Sequence, residues 1–162
     1  MTKSPFAGKM PHRLRRLDEV WSPRGRPVFF ITLCTADRRC WLADPDIADA
    51  FRSFSACSPE RAQVWVGRFV LMPDHIHAFV SAEGSQSLSR WVGSLKGFLA
   101  SRKRGQAVPG TAWQQGFFDH ALRGSESYSE KWAYVRMNPV RAGLVEKPED
   151  WPYAGEIHRI EW

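Results

Sequence analysis

Two histidines separated by one apolar residue are the first feature of the sequence that could do chemistry. They lie in His75-Ile76-His77, directly after the turn-forming pair Pro73-Asp74 and between two apolar runs. Because side chains alternate between the faces of a β-strand, both imidazoles should point the same way, roughly 7 Å apart along the backbone. Such a pair could supply two ligands to a divalent metal or form a catalytic pair. The alternative is that each ring only hydrogen-bonds a backbone group.

A tyrosine and an asparagine four residues apart could complete such a site. On one helix, Tyr134 and Asn138 would share a face and lie about 6 Å apart. Asn138 offers an amide oxygen as a third ligand to a hard cation, with Tyr134 one turn away. If Asn138 does not serve, Asp119 or His120 is the next candidate. The alternative for Tyr134 is a packed ring whose hydroxyl bonds a backbone carbonyl.

The composition indicates a single domain over residues 1–162 that binds a polyanion. A chain of 162 residues can bury a substantial core, and no apolar run reaches the roughly 20 residues of a membrane span. The net charge of +6 favours nucleic acid over a membrane as the partner. The three cysteines form no CxxC pair, which favours reduced thiols in a cytosol and argues against structural zinc.

Basic residues recur along the chain and could contact a DNA backbone. Residues 1–27 form a basic arm that either contacts phosphates or is a solvated leader, and residues 148–162 form a polar tail. Basic faces are commonly just solvated, and Arg141 could instead anchor the turn at Asn138-Pro139. The candidates for phosphate contacts are Arg15, Arg16, Arg90, Lys96, Arg102, Arg123, Arg136 and Arg141.

Local patterns predict an α+β fold. Asp44-Pro45 is typical of a helix start, and a stripe of helical spacing runs from Leu88 to Leu99. Strands are predicted at residues 28–34, 63–71, 76–81 and 111–122, and helices at 45–57, 85–104 and 126–137. This order is the ferredoxin-like pattern, in which the first and third strands are central. Two helices would cover one face of the antiparallel sheet, and the extra third helix would lie over the histidine face.

Four stretches of the sequence are distinctive together. They are Leu71-Met-Pro-Asp-His-Ile-His77, Trp113-Gln-Gln-Gly-Phe-Phe-Asp-His120, Tyr134-Val-Arg-Met-Asn-Pro-Val-Arg-Ala-Gly-Leu144 and Asp150-Trp-Pro-Tyr153. These stretches resemble the REP-associated tyrosine transposases, within the HUH class of single-strand nucleases. The family often has asparagine at position 74. We expect aspartate there to be harmless, because its side chain should point to the face opposite the histidines.

The resemblance implies a DNA endonuclease and strand transferase of bacterial transposition. It implies that His75, His77 and Asn138 hold Mg²⁺ or Mn²⁺. Tyr134 would be the nucleophile that forms a 5′-phosphotyrosine and leaves a free 3′-OH. The implied partner is single-stranded DNA with a hairpin from a repetitive extragenic palindrome. A cytoplasmic, nucleoid-associated protein is expected, and the size of the family relatives favours a monomer over a dimer.

Three other functions compete with this interpretation. A nucleotide hydrolase of the histidine-triad kind would need a third histidine at position 79, where this chain has Phe79. A non-catalytic nucleic-acid-binding module usually exposes stacking aromatics on the sheet face where we expect the histidines. A domesticated transposase would keep binding and serve a host regulatory role. Binding that needs no divalent metal and survives Tyr134→Phe would favour the non-catalytic module.

Overall fold

A five-stranded antiparallel sheet forms the centre of the protein. The structure is a computed structural model that describes residues 26–103 and 112–160. The strand order is β4-β1-β3-β2-β5, so β1 and β3 have neighbours on both sides and the ferredoxin-like prediction is confirmed. The strands are β1 (Val28–Cys34), β2 (Val64–Leu71), β3 (His75–Ala82), β4 (Phe118–Ala121) and β5 (Ala154–Glu156).

Helices α1 and α3 cover one face of the sheet, as predicted. The Asp44 side chain accepts hydrogen bonds from the backbone N–H groups of Asp46 and Ile47, which confirms Asp44 as the N-cap of α1. The predicted stripe of α3, from Leu88 to Leu99, is buried against the sheet. The helices of the described residues are α1 (Pro45–Ala56), α2 (Ser58–Ala62), α3 (Ser85–Arg102), α4 (Ser125–Val135) and α5 (Asn138–Arg141).

The opposite face of the sheet carries a second apolar cluster beneath α4. The ring of Phe79 on β3 lies 4.5 Å from the ring of Tyr128 and 6.3 Å from that of Trp132, measured between centroids. These contacts confirm that an extra helix packs over the second face. The cluster also includes Val70 and Met72, with Trp151 packed against it. We call this second face of the sheet the histidine face, because His75 and His77 lie on it.

The predicted fourth strand is much shorter than residues 111–122. Only β4, Phe118–Ala121, pairs with β1, and Trp113 makes a single bridge to Thr35. The intervening segment turns at Gly116, whose φ of 72° favours glycine. The ammonium of Lys96 donates to the carbonyls of Gln114, at 3.0 Å, and of Gly116. The segment before β4 is therefore a turn held by Lys96. The alternating pattern of apolar and polar residues in the sequence does not distinguish such a turn from a strand.

Two further differences concern the C-terminal third. The polar tail contains β5, which extends the sheet beyond β2, and no alternating pattern marks so short a strand. The predicted helix at 126–137 ends at Val135, and α5 begins separately at Asn138. Pro139 has no N–H to donate to the carbonyl of Val135, so the first helix cannot continue through it. Within the described ranges, no helix is both long and apolar enough to cross a membrane.

Candidate active site

His75 and His77 open β3 on the same face of the sheet, as predicted. Their ring centroids are 4.7 Å apart. Ile76 between them and Ala78 after them are fully buried on the other face, which fixes the direction of both histidines. The His77 ring also stacks on Phe30, with 5.2 Å between centroids. Two half-buried imidazoles therefore meet on a rigid central strand.

Each imidazole is held by a side chain rather than by a backbone group. Thr32 Oγ1 on β1 is hydrogen-bonded to His77 Nδ1 at 2.9 Å. Asp74 Oδ1 lies 2.7 Å from His75 Nδ1. A carboxylate only accepts, so His75 carries its proton on Nδ1 and presents the lone pair of Nε2. Such outer partners orient the histidine ligands of metal sites.

The position of Asp74 contradicts the expectation that its side chain points away from the histidines. Asp74 lies in the turn before β3, closed by a 2.8 Å hydrogen bond from Met72 N–H to the carbonyl of His75, so strand alternation does not apply there. Its second carboxylate oxygen, Oδ2, lies 2.7 Å from Arg38 Nε. Arg38 in turn donates to Cys34 Sγ at 3.1 Å. Asp74 therefore links His75 to the loop after β1.

Burial keeps both histidines neutral. It lowers the pKa of His77 to about 3, and a proton on His75 or the positive charges of Lys131, Arg38 and Arg141 would act in the same direction. Burial also lowers the pKa of His75, against the hydrogen bond and charge of Asp74. Both rings therefore have a nitrogen lone pair available at neutral pH, which is the form that binds a metal.

Tyr134 is exposed at the end of α4, where its hydroxyl is accessible to a ligand. Its exposed fraction is 67%, whereas Tyr128, six residues earlier, is 6% exposed and its hydroxyl accepts from the backbone N–H of Arg68. The guanidinium carbon of Arg141 lies 4.0 Å from the centroid of the Tyr134 ring. The alternative of a packed ring therefore does not describe Tyr134.

Arg141 joins Tyr134 to Asn138 although the two residues lie on different helices. The helical spacing assumed for the pair does not hold, because α4 ends at Val135 and α5 begins at Asn138, as the helix-ending pair Asn138-Pro139 also indicated. Arg141 Nη2 donates to the backbone carbonyl of Tyr134 at 2.6 Å and to Asn138 Oδ1. Arg141 thus anchors the turn, as one of the sequence interpretations held. The same side chain fixes the nucleophile and the third ligand expected from the sequence.

The nitrogens of the histidine pair suit a divalent cation that has further ligands. Within residues 26–103 and 112–160, no group of three His, Cys, Asp or Glu side chains could hold a metal, so a site at the histidines would need another kind of donor, such as an amide oxygen. The Asn138 oxygen has a second lone pair besides the one that Arg141 occupies. Asp119 pairs with Ile31 and so lies on the helix-covered face, whereas His120 pairs with Phe30 and lies on the histidine face. The set expected from the sequence, His75, His77 and Asn138, stays a prediction.

The basic candidates divide into three groups. Arg15 and Arg16 lie outside the described residues. Arg90, Lys96 and Arg102 lie on α3, on the face away from the histidines, and Lys96 binds loop carbonyls. Arg123 and Arg136 flank α4, and Arg136 pairs with Glu149 at 2.8 Å. No sequence pattern marks Thr32, Arg38 and Lys131, because only strand register and packing bring them near the histidines.

Comparisons with known proteins identify a transposase family. A family model described as Transposase IS200 like matches residues 28–138. The chain is 30% identical over 106 residues to the REP-associated tyrosine transposase of Escherichia coli (strain K12), covering 60% of this chain and 61% of that protein. A Haemophilus influenzae protein provisionally given the same name is 26% identical over 154 residues, 83% of this chain and 86% of its own.

A solved structure shares the fold. The structure of the REP-associated tyrosine transposase bound to a REP hairpin superposes with a TM-score of 0.65 and 24% identity, over 79% of this chain and 75% of that one.

The chain spans about three fifths of the Escherichia coli relative. The region that the family model matches covers most of the chain and contains both histidines, Tyr134 and Asn138. The protein therefore belongs to the IS200-like transposase family.

Proposed function

We propose that the protein is a metal-dependent endonuclease and strand transferase of single-stranded DNA that acts through a 5′-phosphotyrosine. The observation that carries this proposal is the exposed Tyr134, held by Arg141, in a chain whose two neutral histidines meet on one face of the sheet. The histidines occupy an open part of a sheet face in a chain of a transposase family. A buried tyrosine or charged histidines would not support the same chemistry.

His75, His77 and Asn138 would hold Mg²⁺ or Mn²⁺, which supplies positive charge against a non-bridging oxygen of the scissile phosphate. The Tyr134 hydroxyl oxygen forms a bond to phosphorus while the bond from phosphorus to the 3′-oxygen breaks. The phenol loses a proton and the departing 3′-oxygen gains one. The products are a 5′-phosphotyrosine and a free 3′-OH. Because the phosphodiester energy is retained, a 3′-OH can reverse the step and join strands.

We propose that the substrate is unpaired at the cut and carries a hairpin beside it. A nucleophile on a sheet face cannot reach a phosphate that is stacked within a duplex, and a structural relative is described as bound to a REP hairpin. Arg123, Arg136 and Arg141 are the proposed backbone contacts near the cut. Arg90, Lys96 and Arg102 on α3, with Arg15 and Arg16, are proposed contacts for DNA farther away. Such contacts would make binding strongly salt-dependent.

Covalent trapping tests the nucleophile, the metal and the substrate together. The full chain is incubated with Mn²⁺ and a labelled hairpin with unpaired flanks, taken from repeats of its own genome, and separated on a denaturing gel. We expect a protein–DNA adduct that disappears in Tyr134→Phe, in His75→Ala, in His77→Ala and with EDTA. Tyr153→Phe is the matched control and should keep the adduct, because Tyr153 is half-buried and packs edge-to-face against Trp151. A fully paired duplex should give none.

Two results would contradict the proposal. An adduct that persists in Tyr134→Phe would mean another nucleophile. Hairpin binding without an adduct, across several hairpins and metals, would favour a non-catalytic binding module or a domesticated transposase with a host role.

A further inference from the structure

Phe118 is an aromatic side chain that packing does not explain. It is 52% exposed on β4. Among the described residues, the exposed large apolar side chains are Phe118, Tyr134 and Leu144. Its neighbour Phe117, by contrast, packs against the helix-covered core. An exposed aromatic ring on a short strand is therefore available to a flat ligand.

Strand register places Phe118 in the same row as the histidine site. Phe118 pairs with Thr32 on β1, and Thr32 pairs with His77 on β3. Paired residues of antiparallel strands point to the same face, so Phe118 lies on the histidine face, about 10 Å from His77 across two strand spacings. Along this row exposure rises from buried Val70, through half-buried His77 and Thr32, to exposed Phe118. The histidine face is thus covered at β2 and open towards β4.

A lysine lies beside the open part of the histidine face. The Lys131 ammonium lies 4.7 Å from the centroid of the Phe30 ring, which stacks on His77. Lys131, His120 and Glu130 are among the residues that line an open pocket of about 300 Å³ in the row next to Phe118. A flat aromatic ring near a positive charge complements a nucleotide, whose base is flat and whose phosphate is negative.

The backbone that carries Phe118 is held in place. Pairing with β1 fixes it on one side. The turn before it is fixed by the hydrogen bonds from Lys96 to the carbonyls of Gln114 and Gly116. A ring on a fixed strand loses little conformational freedom when a base stacks on it, which favours binding.

We propose that Phe118 is a stacking platform for one base of the unpaired DNA strand, which runs from the histidine pair across β1 to β4. This inference rests on the proposed DNA substrate and adds the path of the strand and the residue that holds it. Stacking of a base on an aromatic side chain does not depend on base identity. Phe118 therefore contributes affinity and position, whereas sequence recognition lies elsewhere.

Fluorescence of 2-aminopurine tests this path without cleavage. The full chain is titrated, in EDTA, into hairpins whose unpaired flanks carry one 2-aminopurine each, at successive positions. We expect quenching at one position near the cut. Phe118→Ala should remove that quenching and weaken binding about tenfold, because stacking on one aromatic ring typically contributes that much. Phe118→Trp, which keeps a flat aromatic ring, should retain both the quenching and the affinity of the wild type. Leu144→Ala, which removes another exposed apolar side chain, should change neither.

The outcomes separate this inference from the proposed nuclease activity. Equal quenching and affinity in the wild type and in folded Phe118→Ala would overturn the stacking role, whatever the adduct assay gives. Quenching that Phe118→Ala removes would support the stacking role even if no covalent adduct forms. Absence of quenching at every flank position of the wild type would overturn it as well. A melting temperature for each variant identifies any loss of binding that is due to unfolding.

Discussion

Replacing Asp74 with alanine tests how the histidine pair is organised. Asp74 lies 2.7 Å from His75 Nδ1 and 2.7 Å from Arg38 Nε, distances typical of charge-assisted hydrogen bonds. Alanine would leave the Nδ1 proton of His75 without an acceptor. The ring could then rotate, or its proton could move to Nε2, the nitrogen that a metal needs unprotonated. Asp74→Ala should therefore weaken metal binding without removing a ligand.

The expected size follows from the lost hydrogen bond. A hydrogen bond to a charged group contributes about 1.5–3 kcal/mol, and each 1.4 kcal/mol corresponds to about a factor of ten. We expect the Mn²⁺ affinity to fall about 10–100-fold, the range that outer partners of metal ligands usually contribute. Asp74→Asn keeps a neutral acceptor for His75, so its loss should be smaller, about three- to tenfold.

The assay is a Mn²⁺ titration of single-turnover cleavage, with ¹⁵N NMR of the histidine tautomers as a second measurement that needs no metal. Asp49→Ala is the matched control. It removes an exposed carboxylate that pairs with Arg52 at 3.4 Å on α1, on the other face of the sheet. An unchanged Mn²⁺ midpoint and an unchanged His75 tautomer in folded Asp74→Ala would refute the role of this carboxylate.

Two further predictions concern His77 and Arg141. The pKa of His77 is about 3 in the folded chain, below its usual 6.5. At a pH between these two values, the unfolded chain therefore has His77 protonated while the folded chain does not. The unfolding free energy should therefore fall as pH drops from 6.5 towards 3. The urea midpoint of His77→Gln should depend less on pH, and equal slopes would contradict this. Arg141→Lys keeps the charge but cannot bridge Tyr134 and Asn138 as a planar fork. It should slow single-turnover cleavage at least about tenfold while DNA affinity changes little, whereas an unchanged rate would show that the bridge is dispensable.

Local periodicity was sufficient to predict much of this protein. The apolar flanks of His75 and His77 indicated a buried strand with both rings on one face, and the structure places them so. The spacing from Leu88 to Leu99 predicted the buried stripe of α3. Element order then predicted the sheet with β1 and β3 inside. These features depend on residues close in sequence, where side-chain direction repeats with a period of 2 or 3.6.

Features that depend on distant residues required the tertiary structure. The bond between Thr32 and His77 joins residues that only the pairing of β1 with β3 brings together. The short β4 and the added β5 depend on what pairs with them, and their own residues carry no clear alternation. Arg38 reaches Asp74 because a loop folds back under the turn before β3.

By itself, then, the sequence determined which residues could do the chemistry and the face on which the histidines lie. The tertiary structure decided which partners hold each imidazole, how Arg141 links Tyr134 to Asn138, and which part of the sheet stays open to a ligand. The physical reason is that side-chain direction is set within a few residues of the chain. Hydrogen bonding and burial, by contrast, are set by whichever distant segments pack there.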